Sequence, residues 1–417
     1  MLDNYFSGLA LAVCILHNYS TVTQTPIVLT EYQPRLLSAD TFTQAEAQTL
    51  WDSYQPQLLV DPPSFQNNQQ WVLTPQGWAG HIPVSTKTTL IIEPKVSVLN
   101  LFAMLQLVYK LPSFRFLDGL TQVETITGFI DLLAYELANR VLDRLRKGIY
   151  KEYHQKREPL GTLRGRIDPQ WIASQPTHPK IQCDFTDQTA DLPFNQILAY
   201  TLRQVALTGL CSNPTLRLVN RAWRQLPVSL KPFTAFDCAN WDYTRLNEDY
   251  RPMHSLCSLF LDRLSPTHHV PNTNSRMMVP FLVNMPLLYE KYVASWLQTH
   301  LPEGYTLREQ ERVLLDASQA RHVNIDLVIF NTENRPVIVL DTKYKSGQPT
   351  NDDIYQVTFY AREIGCYTAG LIYPIPLEKP LTGRNQDVTY HSLTFTLDDE
   401  PDTAGAAFLD QIALKTI

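Results

Sequence analysis

The arrangement of apolar and polar positions divides the chain into three regions. Up to about residue 95 the apolar positions come in short runs bounded by turn residues, the pattern of β-strands. Residues 27–32 and 88–92 are β-prone runs, and residues 71–73 and 78–84 flank Pro75-Gln76-Gly77, a spacing that predicts a hairpin. Between them, residues 43–54 are rich in Gln and Ala and predict a helix. From about residue 97 the period becomes helical, with Val98, Leu101, Met104, Leu105 and Val108 on one face. Residues 127–147 form the clearest helix: its stripe is Ile130, Leu133, Leu137, Val141 and Leu145. Its last turn carries Arg144, Arg146 and Lys147, and Gly148 stands where a helix ends. Residues 191–207 are a further helical stretch, and residues 265–274 (SPTHHVPNTN) read as a turn-rich linker and domain boundary.

After that boundary the pattern changes again. An amphipathic helix over 287–301 is followed by an extended segment over 305–316. Strands at 323–330 and 336–340 enclose the turn Asn331-Thr332-Glu333-Asn334, and a helix at 353–363 precedes a strand at 369–373. That order predicts an α/β module with a mixed sheet. The predicted fold class is therefore α+β and multidomain: a β-rich region over 1–95, a mainly helical region over 96–275 and an α/β domain over 276–417.

Composition narrows the function. With 44% hydrophobic and 18% charged residues in 417, the chain is not disordered as a whole. A net charge of -6 excludes a histone-like bulk binder of nucleic acid. The average hides a basic stretch: residues 140–166 hold nine Lys and Arg against three Asp and Glu. This suits a phosphate track or an acidic partner, or equally a solvated helix end and loop. Neither glycine-rich phosphate loop, G-x-x-x-x-G-K-[ST] or G-x-G-x-x-G, is present, so a nucleotide bound through such a loop is not expected. The six cysteines (Cys14, Cys183, Cys211, Cys238, Cys257 and Cys366) form no C-x-x-C pair and read as reduced thiols of a cytoplasmic protein. The apolar run at 9–16 falls short of the roughly 20 residues needed to span a bilayer, so no membrane association is expected. The histidines show no H-E-x-x-H spacing, His268-His269 falls in the linker, and the serines lack a G-x-S-x-G elbow.

The chemistry concentrates in Val337-Ile338-Val339-Leu340-Asp341-Thr342-Lys343-Tyr344-Lys345. A buried strand ends in a carboxylate, and period-2 alternation puts Asp341 and Lys343 on one face. Asp326 lies fifteen residues earlier on the preceding strand, within reach across a hairpin. Two adjacent carboxylates repel unless a cation lies between them, and hard oxygen ligands favour Mg²⁺ or Mn²⁺. A lysine beside them can orient water or face phosphoryl charge, as metal-assisted phosphodiester hydrolysis requires. Gln356 and Tyr360 share a side of the following helix, and Glu290 offers a third carboxylate, unless it is simply solvated beside Lys291. The other [DE]-x-K, Glu93-Pro94-Lys95, sits on a proline without a partner carboxylate and reads as structural. Arg164-Gly165-Arg166 suits a phosphate, a partner's acid or a domain interface, and Lys345 a phosphate contact or a solvated charge.

Asp326, Asp341-Thr342-Lys343 and Gln356-x-x-x-Tyr360 resemble the PD-(D/E)xK nuclease superfamily, in its branch with a Q-x-x-x-Y motif. Gly77-Trp78-Ala79-Gly80-His81-Ile82-Pro83, Ile92-Glu93-Pro94-Lys95-Val96, Leu163-Arg164-Gly165-Arg166-Ile167-Asp168, Pro193-Phe194-Asn195 and Tyr289-Glu290 extend the resemblance to the McrC family, the nuclease subunit of McrBC-type modification-dependent restriction systems. It runs from about residue 29 to 376, and one position departs: Ile325 stands where the family usually has proline. The resemblance implies an endonuclease that cuts double-stranded DNA carrying modified bases and stimulates an McrB-like AAA+ GTPase. It also implies that Asp326, Asp341 and the Thr342 carbonyl hold Mg²⁺ (Mn²⁺ as substitute), with Glu290 assisting. Lys343 would position water, while Gln356 and Tyr360 support the site or touch DNA. The alternatives are a stand-alone or repair-type nuclease and a non-catalytic activator of a partner NTPase.

Overall fold

The computed structural model describes residues 26–85, 87–109, 125–238, 241–264, 280–314, 322–345 and 347–412. The apolar run at 9–16, Cys14, and the whole linker over 265–274 with His268 and His269 lie outside them. Two compact units emerge: Ile130–Phe281, and Gln24–Phe129 together with Leu282–Ile417.

The second unit begins with β1 (Ile27–Thr30), β2 (Arg35–Leu37), α1 (Gln44–Tyr54), β3 (Leu58–Asp61), β4 (Trp71–Pro75), β5 (Trp78–Pro83), β6 (Thr89–Glu93) and α2 (Val98–Val108). Helix α1 starts where it does because Thr43 and Glu46 satisfy each other's backbone N–H groups in a capping box. Its Leu50 and Tyr54 pack with Leu29, Leu58, Leu73, Ile82, Leu90 and Ile92 in one core. The hairpin expected around Pro75-Gln76-Gly77 does not form. Strand β4 pairs with β2 and β3 in one sheet, whereas β5 pairs with β6 in another. The turn hands the chain from sheet to sheet: Gln76 N–H donates to the Gln57 carbonyl, and Gly77 takes a left-handed φ of 70°. Any Cβ at Gly77 would come within 2.4 Å of Tyr32 Oη. Turn chemistry alone does not say which strands a turn joins.

The first unit takes up most of α3 (Ile126–Lys147), then β7 (Glu152–Leu160), β8 (Arg166–Ile167), α4 (Pro169–Ser174), β9 (Ile181–Thr189), α5 (Pro193–Leu207), α6 (Asn213–Gln225) and α7 (Arg251–Arg263). It is mainly helical but also carries an antiparallel sheet, ordered β7-β9-β8. The strand β7, EYHQKREPL, is exposed along nearly its whole length, so it lacks the apolar alternation that would mark it. Asp131 is a buried anchor on α3: its carboxylate accepts from Ser212 N–H at 2.7 Å, Ser212 Oγ at 3.0 Å and Thr215 Oγ1 at 3.1 Å.

The chain then returns to the second unit with β10 (Phe281–Asn284), α8 (Met285–His300), β11 (Tyr305–Leu314), β12 (His322–Asn331), β13 (Pro336–Thr342), α9 (Asn351–Glu363), β14 (Thr368–Tyr373), β15 (Thr382–Asn385), β16 (Val388–Thr394) and α10 (Pro401–Ile412). Strand β10 joins the sheet ordered β1-β6-β5-β10, and β11-β12-β13-β14-β16-β15 form a six-stranded sheet. In that sheet β13–β14 and β14–β16 are parallel and the other pairs antiparallel, the mixed α/β arrangement the pattern implied. Helices α8 and α10 close together at Gly405, where an added Cβ would lie 2.2 Å from the Trp296 ring. Gly405→Ala should therefore cost about 1–3 kcal/mol, the usual price of overpacking, read as a lowered thermal unfolding midpoint.

Candidate active site

Strands β12 and β13 run antiparallel with Leu327 opposite Leu340 and Val328 opposite Val339. One step further along that register sets Asp326 opposite Asp341, and opposed residues share a face. The Asp326 Oδ2 accepts from Thr342 N–H at 3.4 Å, which ties the two strand ends together. Asp341 is 2% exposed. Lys343 Nζ lies 2.6 Å from Asp341 Oδ2, 3.1 Å from Gln356 Oε1 and 3.5 Å from Asp353 Oδ1. Gln356 Nε2 in turn donates to Tyr360 Oη at 2.9 Å, so the amide spans the lysine and the phenol one helical turn on. The structure thus gathers Asp326, Asp341, Lys343, Gln356 and Tyr360 into one connected group.

Glu290 comes from α8. Its Oε1 accepts from Gln310 Nε2 at 2.6 Å. Gln310 lies on β11 between Glu309, opposite Leu327, and Glu311, opposite Ile325; this places it across from Asp326. Its φ of 49° is left-handed, a conformation that a non-glycine residue holds at a cost of order 1–3 kcal/mol.

Electrostatics define the site's surplus. Burial is the largest influence on Asp326 and raises its pKa to about 6; Glu290 pushes the same way, against Thr342 N–H and Lys343. Burial also raises Asp341 to about 6, with Lys343 opposing and Asp326 adding to it. Glu290 is raised too, by burial, with Glu309 and Asp341 contributing and Gln310 opposing. Burial disfavours the charge on Lys343, but Asp341, Asp353 and Asp326 outweigh it and raise its pKa. One ion pair therefore holds the lysine charged without bringing Asp341 below its ordinary value, because Asp341 is deeper and faces a second carboxylate.

Asp353 has no place in the sequence reading of the chemistry. Burial works against its charge, but Lys345 and the Thr350 N–H and hydroxyl hold it down at about 2. Its sequence signal is the capping box Thr350-x-x-Asp353 that starts α9. Lys345 ion-pairs with Asp353. Arg164 and Arg166 belong to the other unit. Arg164 pairs with Asp187 at 2.8 Å and lies over the Phe185 ring, while Lys156 and Arg157 meet Asp187 and Asp184. Much of the basic stretch is thus matched by aspartates that follow it in sequence, and Arg166 is exposed on β8.

The family model for the McrBC 5-methylcytosine restriction system component matches residues 73–374. The chain belongs to this family. Comparison with curated proteins gave no match. Among solved structures, the McrBC family chain is similar to a chain of the refined half-complex from the tetradecameric assembly of Thermococcus gammatolerans McrB AAA+ hexamers with bound McrC. The identity is 15% and the TM-score 0.63, over 93% of this chain and 100% of that one. A chain of the cryo-EM structure of the Thermococcus gammatolerans McrBC complex is 17% identical with a TM-score of 0.45, over 66% and 87% of the two chains. The first of these likenesses establishes a shared fold. No helix among the described residues of this McrBC family member is long and apolar enough to cross a membrane.

Asp326 and Asp341 hold their protons more tightly folded than unfolded. The stability this contributes is complete below about pH 4 and is lost as the pH rises through about 6. Asp326→Asn should accordingly raise the thermal unfolding midpoint of the metal-free chain at about pH 8, with the gap to wild type closing toward about pH 4. Thermal scans of both proteins across that range check it.

Proposed function

We propose that this McrBC family chain is the metal-dependent DNA endonuclease subunit of a modification-dependent restriction system. In this reading the domain over 276–417 is a PD-(D/E)xK nuclease. The chain would act on double-stranded DNA with modified bases, together with an McrB-like AAA+ GTPase. The observation that carries the reading is the meeting of Asp326 and Asp341 across β12 and β13 beside an immobilised lysine.

The donor set fits a hard divalent cation such as Mg²⁺ or Mn²⁺. Three carboxylates (Glu290, Asp326 and Asp341) influence one another's charge, and Lys343 acts on both Asp326 and Asp341. Among the described residues no three His, Cys, Asp or Glu side chains are grouped closely enough to form a metal site on their own. Asp326 and Asp341 would hold the ion together with the main-chain oxygen of Thr342, with Glu290 assisting from α8. When bound, a divalent cation supplies Lewis-acid stabilisation of phosphoryl charge.

The chain's own residues do the rest. The Lys343 ammonium, kept charged by Asp341 and aimed by the Gln356 carbonyl oxygen, orients an attacking water and faces the negative charge that develops on the phosphoryl oxygens. Tyr360 fixes the rotation of the Gln356 amide. Asp353, ionised and anchored to the N-terminus of α9, holds Lys345 and steadies Lys343 from behind.

Membership of the McrBC family and the fold shared with a chain from McrB AAA+ hexamers with bound McrC support the GTPase partnership. The test is cleavage of methylated DNA by the chain with an McrB-like GTPase, GTP and Mg²⁺. Asp341→Ala should abolish cutting and leave GTPase stimulation largely intact. Cutting by Asp341→Ala at the wild-type rate would sink the assignment. Stimulation without cutting by the wild type would favour a non-catalytic activator, and cutting without the GTPase a stand-alone nuclease.

A further inference from the structure

Glu93-Pro94-Lys95 is a sequence motif for which the proposed chemistry has no use, yet both of its charged side chains are engaged. Strand β6 ends at Glu93, whose Oε2 accepts from Ile126 N–H at 3.2 Å at the start of α3. Lys95 then turns away from the sheet. Its Nζ donates to the Tyr344 carbonyl at 3.0 Å and lies 3.9 Å from the centroid of the Tyr344 ring, with the Tyr32 ring at 5.1 Å. Its main-chain N–H donates to Glu31 Oε2 at 3.1 Å, and Tyr344 Oη donates to the same oxygen at 3.3 Å. Glu31 follows β1 directly and is itself fixed, since its N–H donates to the Glu93 carbonyl at 3.0 Å. Glu31 is 2% exposed and Tyr344 4%.

Tyr344 stands between Lys343 and Lys345, where the chain leaves the sheet. The last ladder contact is Lys343 N–H to the Ile372 carbonyl at 2.8 Å, and Lys345 N–H turns back on the Lys343 carbonyl at 2.7 Å. Past that contact, the Lys95–Glu31 pair grips both the backbone and the ring of Tyr344, and the Tyr289 ring packs beside it at 5.9 Å. A methionine could fill the volume of Lys95. What a methionine could not do is donate to a carbonyl, and withdrawing an ammonium even partly from water is unfavourable unless it finds partners.

We propose that Lys95, seated on Glu31, is a positioning residue for DNA cleavage: it clamps Tyr344 and thereby fixes the segment from which Lys343 reaches Asp341 and Gln356. The inference rests on the nuclease reading for its catalytic consequence, but the clamp itself is testable without it. In the cleavage assay with GTPase, GTP and Mg²⁺, Lys95→Met should lower kcat by about 10- to 100-fold, the range typical of residues that orient a site's ligands. KM for DNA, GTPase stimulation and the thermal midpoint should stay close to wild type. Tyr344→Phe, which keeps the ring and carbonyl but loses the Glu31 contact, should show a smaller loss of kcat.

The second readout is amide hydrogen exchange of the chain alone, where Lys95→Met should speed exchange at residues 343–345. Wild-type kcat and wild-type exchange in folded Lys95→Met would overturn the proposal. If Lys95→Met does not fold, Lys95→Arg and Tyr344→Phe decide, and wild-type kcat in both overturns it. Cleavage by Asp341→Ala, or an inert wild type, would remove the nuclease reading alone. Exchange at 343–345 would then still support the clamp if faster, and overturn it if unchanged.

Discussion

Two carboxylates facing each other across an antiparallel strand pair, with one ammonium between them and a helix, is an unfavourable arrangement that only a rigid frame can impose. The frame here is the register of β12 on β13. Ile325, Leu327, Val328 and Ile329 on one strand, and Ile338, Val339 and Leu340 on the other, are buried. Slipping either strand by one residue would move each of these side chains to the opposite face and carry Asp326 away from Asp341. The apolar core thus holds the charges where mutual repulsion would not leave them, and the raised carboxyl pKa values record first the burial and then the neighbouring carboxylates.

Helix α9 completes the frame by serving two ends at once. Its first turn is capped by Thr350 and Asp353, and the same Asp353 carboxylate takes up Lys345 and lies near Lys343. One turn further on, Gln356 meets Lys343, and Tyr360 meets Gln356 another turn beyond. A group that fixes where the helix begins therefore also fixes where the lysines point, so helix registration and site geometry cannot vary independently.

What the sequence discloses depends on how local each relation is. Asp341 and Lys343 share a face by strand period alone, Asp326 joins them through one tight connection, and Gln356 and Tyr360 align by helical period, so these were all legible. The helices over 127–147 and 287–301 announced themselves by their stripes and match α3 and α8 closely. The turn at Pro75-Gln76-Gly77 was legible as a turn, but its strands find partners elsewhere, which depends on sheets assembled from distant segments. Strand β7 was hidden because exposure on both faces erases alternation. Glu31 and Tyr344 lie far apart in sequence, and no local pattern could bring them together; Asp353 carried a signal, though one that spoke of a helix start.

The sheet β1-β6-β5-β10 has a consequence for how the molecule is made. Its last strand, β10, begins only at Phe281, where the stretch Ile130–Phe281 ends, while its neighbour β5 ends at Pro83. On a ribosome, β5 emerges with one edge unpaired and keeps it until the intervening unit has been synthesised. The described part of that unit is one continuous stretch, so it can collapse first, whereas the other unit must wait for its closing strand. The order of synthesis and the order of folding are then inverted for the N-terminal strands. Premature pairing of that waiting edge with another chain is the hazard the topology carries.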